Sequence, residues 1–152
     1  MKLIKRLDQY ERRYVIFCES VKNNVVNEGT YIRLVYTTPT FATSGLHVSF
    51  KITPHFADKC YNKYKLTFDK QAHKDIVEKI KYIEEDIVKQ VGIENKTPHY
   101  KITEQVKHGY LKLSMEEDAS PQINKEMEVL LKISGVWETD SCYGVTYKFE
   151  GR

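Results

Sequence analysis

The chain has 152 residues, 41% of them hydrophobic and 30% charged, with a net charge of +3 and a pI near 8.6. That suffices for one domain with a real core, read as spanning 1–152, and excludes a disordered or collagen-like chain. The positive balance is milder than a dedicated duplex-DNA binder would carry, though it allows a local basic face.

Residues 1–17, MKLIKRLDQYERRYVIF, are broken by charges before any long apolar core, so no signal peptide is expected. The first strand is expected at 13–20, RYVIFCES, followed by a polar stretch that ends in a turn at Gly29. TYIRLVYTT at 30–38 is rich in β-branched and aromatic residues, and PTFATSG then reads as a turn. In LHVSFKIT, Leu46, Val48, Phe50 and Ile52 alternate with polar residues, the period of a half-buried strand. KYKLTF repeats the pattern with Tyr64, Leu66 and Phe68. Asp69 then stands as an N-cap, and the spacing of Ala72, Ile76, Ile80, Ile83, Ile87 and Val91 predicts an amphipathic helix over 70–91, closed by Gly92. HYKITEQ and YLKLSM are read as further strands, EEDASPQ as an acidic loop, and MEVLLKISGVWE with YGVTYKFE as a closing hairpin around TDSC. Gly135 is expected to mark a bulge or bend. Trp137 is read as a core or barrel-end residue, with an exposed stacking platform as the alternative.

Strands, one long helix and more strands do not make a doubly wound parallel fold. The expected class is α+β, mainly β with one long helix, as an OB-like antiparallel barrel or a strongly curved sheet. A plain sheet with a helix on one face would write nearly the same pattern. No stretch of eighteen apolar residues occurs, so no membrane span is expected. Three cysteines, Cys18, Cys60 and Cys142, without close spacing argue against a disulfide framework and for a reducing compartment.

No phosphate loop, nucleophile elbow, zincin motif or Cys-x-x-Cys is present, so catalytic residues and cofactors are read as none. His55 and Cys60 could make half a metal site, but no second pair follows and no metal is expected. Glu84 and Glu85 read as a solvated helix face. More telling are the cations on the polar faces of the expected strands: Arg33, Lys51, Lys63, Lys65, Lys101, Lys112, Lys132 and Lys148, with Tyr31 beside Arg33 and Tyr110 beside Lys112. Lysine on outward strand faces can simply block edge-to-edge aggregation. The competing account is a cationic face with aromatic platforms, on which single-stranded bases stack while cations track phosphates. On that account the candidate nucleic-acid-binding residues are Tyr31, Arg33, Lys51, Lys63, Lys65, Tyr110, Lys112, Lys132 and Lys148.

YKITEQVKHGYLKL, LLKISGVWETDSCYGVTYKF and the earlier YIRLVYTTPTFATSGLHVSFKI resemble a family of small proteins from nucleocytoplasmic large DNA viruses. In that family a segment of the type KISGIWE…YGLTYKF closes the chain. The resemblance covers residues 31–52 and 100–149. Some members are regarded as OB-fold single-stranded-DNA-binding proteins, similar to those of certain bacteriophages. The resemblance therefore implies a role in DNA replication in the viral factories of the host cytoplasm, with viral replication proteins as partners, or a place in the virion. Phage proteins of that kind end in an acidic tail with a terminal aromatic. This sequence ends YKFEGR, so the reading expects no tail-mediated recruitment, with the internal MEEDAS segment as a partial substitute. The competing expectation is a structural or interaction protein of the virion, or a host-factor binder, whose tyrosines form a protein interface or a homo-oligomer contact.

Overall fold

A computed structural model describes residues 4–22 and 29–152. The polar stretch expected as a turn falls largely on 23–28, outside the described residues. In chain order the elements are β1 (Ile4–Arg6), two 3-10 turns (Leu7–Gln9 and Arg12–Tyr14), β2 (Val15–Lys22), β3 (Thr30–Thr37), β4 (Ala42–Ser44), β5 (Leu46–Ile52), β6 (Pro54–Cys60), β7 (Lys63–Phe68), α1 (Lys74–Val91), β8 (Thr97–His99), α2 (Lys101–Lys107), β9 (Tyr110–Leu113), β10 (Met127–Glu138) and β11 (Cys142–Gly151). The fold is mainly β with one long helix, as expected.

β10 organises an 8-stranded sheet. One edge of β10 pairs with β11 along its length. The other edge changes partner: residues 127–133 pair with β5 and residues 135–138 with β3. The change falls at a bulge between Ile133 and Gly135, and a bulge bends a strand and sharpens its twist. β1 and β8 add short parallel pairings at opposite ends of the path, on β5 and β11. A second, 3-stranded sheet runs β6-β7-β9 and is tied to β11 through a bridge from Ser114 to Glu150. The sheets do not close into a barrel, because β1 and β8 end the path of the main sheet unpaired with each other.

The inner faces of both sheets and one stripe of α1 form a single core. Val129, Leu131 and Ile133 are completely buried, as are Leu66, Leu111, Leu113 and Ile87. Truncating Leu131 to alanine in such a core costs about 2–5 kcal/mol.

α1 begins at Lys74 rather than near residue 70. Asp69 caps a preceding turn instead, its carboxylate accepting the N–H groups of Gln71 (2.9 Å) and Ala72 (3.4 Å). His73 stabilises the junction by accepting the Thr53 N–H at Nε2, which leaves Nδ1–H to donate to the Asp69 carbonyl. Ala72 consequently lies outside the helix and is exposed, while Ile80, Ile83 and Ile87 carry the buried stripe. Gly92 closes the helix in the left-handed region, as read from the sequence.

The larger correction is at HYKITEQ, which forms no strand beyond His99. Residues 101–107 form α2, burying Ile102 and Val106, four positions apart. A short run with two apolar residues fits either period, and tertiary contact decides it. The contact is Glu84. Expected on a solvated face, it is fully buried and accepts the N–H groups of Ile102 (3.1 Å) and Thr103 (2.7 Å) and the Thr103 hydroxyl (2.6 Å). α1 thereby supplies the cap that α2 lacks at its own N-terminus, where the Tyr100 side chain makes no capping hydrogen bond. Burial raises the Glu84 pKa above its ordinary value, and the three donors act against that rise.

No helix among the described residues is long and apolar enough to cross a membrane. All three cysteines are free thiols.

Candidate nucleic-acid interface

The bulge decides what the outer face of the main sheet presents. Along β10, Val129, Leu131 and Ile133 point inward. Strict alternation would send Gly135 and Trp137 inward too. One extra residue inverts the pattern: Val136 is buried and Trp137 turns outward, half-buried rather than in the core.

On that outer face Trp137 stands opposite Gly144 of β11 and Tyr31 of β3. Both rings lie down over glycines. A Cβ at Gly144 would come within 3.0 Å of Trp137 Cζ2, and one at Gly135 within 2.6 Å of the Tyr31 hydroxyl. Only glycine permits so close an approach, and the result is two aromatic faces laid along the sheet. Cations surround them. Arg33 pairs with Gly135 in register, and Lys132 stands directly opposite Lys148. Like charges directly opposite cost roughly 0.2–1 kcal/mol. Lys148 also reaches Glu150 at 3.4 Å, while the carboxylate of Glu138 is engaged by Lys96 at 2.7 Å. The Glu138 pKa is lowered, chiefly by that hydrogen bond.

Beside the rings lies a groove of about 340 Å³ lined by Lys63, Lys101, Lys112 and Lys148 with Trp137 and Tyr147, and by no carboxylate. It follows the edge of β11 between its two parallel pairings, at 142–144 with β8 and at Glu150 with Ser114. α2 shapes it. Lys101 Nζ stands 5.3 Å from the Trp137 ring centre, and His99 lies against the same ring at 5.9 Å. Gln105 donates to the Tyr147 hydroxyl and accepts the Lys112 N–H at 2.9 Å, holding helix, strand and small sheet together. Burial raises the Tyr147 pKa, so its hydroxyl stays neutral.

The structure thus brings together six of the expected residues, Tyr31, Arg33, Lys132, Lys148 and, across the groove, Lys63 and Lys112. Lys65 and Tyr110 share the outer face of the small sheet with Lys63 and Lys112. Lys51 is set apart. It lies toward the far end of β5, 3.8 Å from Glu126 and opposite Glu128, where carboxylates offset its charge. His55 and Cys60 are exposed and about 16 Å apart along β6, too far to share a metal. Among the described residues no group of three or more His, Cys, Asp or Glu could hold a metal ion.

Trp137 as an outward ring was the alternative in the sequence reading, and two contributors escaped that reading altogether: Lys101 on a helix rather than a strand, and Glu84 as the anchor of that helix. Gly135 signalled a bulge, but only the strand pairing counts the slip that turns Trp137 outward. No family model, no curated protein and no solved structure matches this chain.

Proposed function

We propose that the chain binds single-stranded nucleic acid, without catalysis, on the outer face of the main sheet. The observation that carries this reading is the outward pair of rings, Trp137 and Tyr31, laid over glycines beside the opposed lysines 132 and 148. Bases stack on flat rings whatever their identity, for about 1–3 kcal/mol each, and cations follow the phosphates. Lys101 then turns from the Trp137 ring to a phosphate as a base takes its place. The curved, open sheet serves here as the strand face does in an OB-like binder. The viral resemblance of the closing segment supports DNA as the substrate and replication in the viral factory as the setting.

A fluorescence-anisotropy titration with labelled oligo-dT tests it. Affinity falls with added salt, with a log–log slope of about −3 if Arg33, Lys101, Lys132 and Lys148 each release a counterion. Absence of binding at about 50 mM salt sinks the proposal.

One observation favours a second reading, an interaction protein of the virion or host. Among the described residues β2 pairs only with β3, which leaves its other edge open, and Ile16 and Val21 are exposed on the strand, opposite Val35 and Tyr31. An open apolar edge can pair with another strand. Light scattering that shows a stable dimer lost in Ile16→Lys, together with no oligonucleotide affinity, would favour this reading.

A further inference from the structure

The small sheet repeats the chemistry of the main one. Lys65 stands directly opposite Lys112 across β7 and β9, and Lys65 Nζ lies 4.5 Å from the centre of the Tyr110 ring. Lys63, Lys65 and Lys112 form no ion pair among the described residues. Asp58 sits at the register position beside Lys65 without pairing to it. The acidic loop at 116–118 gathers on the other side of the hairpin, with Lys59, Tyr61 and Tyr64, and leaves this face cationic.

Resting on the reading above, we infer a second subsite for the same strand on the outer face of β7 and β9. Lys63 is the connection: it lines the groove with Trp137 and Lys148, and it shares the outer face of β7 with Lys65. A single strand seated on the Trp137–Tyr31 platform runs through the groove onto the small sheet. There Lys65 and Lys112 take phosphates, and Tyr110 takes a base. The two subsites act as linked modules, so affinity rises steeply once an oligonucleotide reaches both.

The test compares oligo-dT of about 6 and about 16 nucleotides on the full chain, within the range one such fold covers. The variants are Lys65→Ala and the double variant Lys65→Ala with Tyr110→Leu, at positions that line neither the groove nor the platform. Each is expected to bind the longer oligomer more weakly, the double variant by at least ~10-fold, and the shorter one as wild type does, with no loss of melting temperature in Lys65→Ala. Unchanged affinity for the longer oligomer overturns the second subsite and leaves the platform standing. An equal loss at both lengths also overturns it, because it marks a general effect. If wild type binds neither length, the platform itself fails and the second subsite with it.

Discussion

A methyl group at Gly135 would stand 2.3 Å from the Ile32 carbonyl oxygen and 2.6 Å from the Tyr31 hydroxyl. The first obstacle is backbone and cannot swing aside. Gly135→Ala is therefore expected to lower stability by about 1–3 kcal/mol in urea unfolding. At Gly144 the obstacles are the His99 carbonyl at 2.9 Å and the Trp137 ring at 3.0 Å. Gly144→Ala is expected to strain the β8 pairing at His99, whose carbonyl is also backbone, and to tilt the indole off the sheet, so that both stability and oligonucleotide binding fall. A melting curve and an anisotropy titration on the same variant separate the two effects. The bulge was legible, since glycine inside a strand weakens it without a reason of this kind. Which way Trp137 faces was not, because one residue of slip reverses every later side chain and only strand pairing counts the slip.

At the scale of elements, α2 is the part that sequence alone misassigned. KITEQ carries a threonine and an isoleucine that suit a strand, and its helical start depends on a carboxylate eighteen residues earlier, Glu84 bonding to Ile102. Glu84→Ala leaves two buried N–H groups without an acceptor and is expected to cost about 1–3 kcal/mol. It should also release Lys101 and Gln105 from the groove.

The pH dependence has two opposing parts. The folded-state pKa of Glu84 is raised by burial, so the linked stability is full below the ordinary value of 4.5 and declines as pH rises through the folded pKa. The folded-state pKa of Glu138 is lowered by its hydrogen bond from Lys96, so its contribution is present above 4.5 and is lost as pH falls through the folded pKa. In denaturant titrations across this range, Glu138→Gln is expected to flatten the acid-side loss of stability. Glu84→Gln is expected to flatten the decline on the other side. A wild-type pH profile unchanged by either substitution would contradict both assignments. The long helix and the alternating strands were readable from period alone. The three-residue strands β1, β4 and β8 were not, because they hold too few residues to show a period and exist through their pairing partners.

For the whole molecule, net charge understates the surface. A balance of +3 arises from 24 basic and 21 acidic residues, yet the groove is lined by four lysines and no carboxylate. Carboxylates elsewhere are already engaged: Asp86 is buried under Arg12 and Tyr10, Glu138 holds Lys96, and Glu126 lies near Lys51. Composition reports only the sum, and folding separates the charges. It also brings Lys112 and Lys148, far apart in the chain, to one groove, which no pattern along a single strand could reveal.

The central claim is that an aromatic face of the main sheet stacks against bases. The chain contains a single tryptophan, and it is the ring in question, so its emission reports on the platform directly. Titration of the protein with unlabelled oligo-dT at low salt is expected to quench Trp137 fluorescence saturably, and added salt should reverse the quenching. Emission that stays constant while anisotropy shows the oligonucleotide bound would contradict the account, because the strand would then lie somewhere other than on this face.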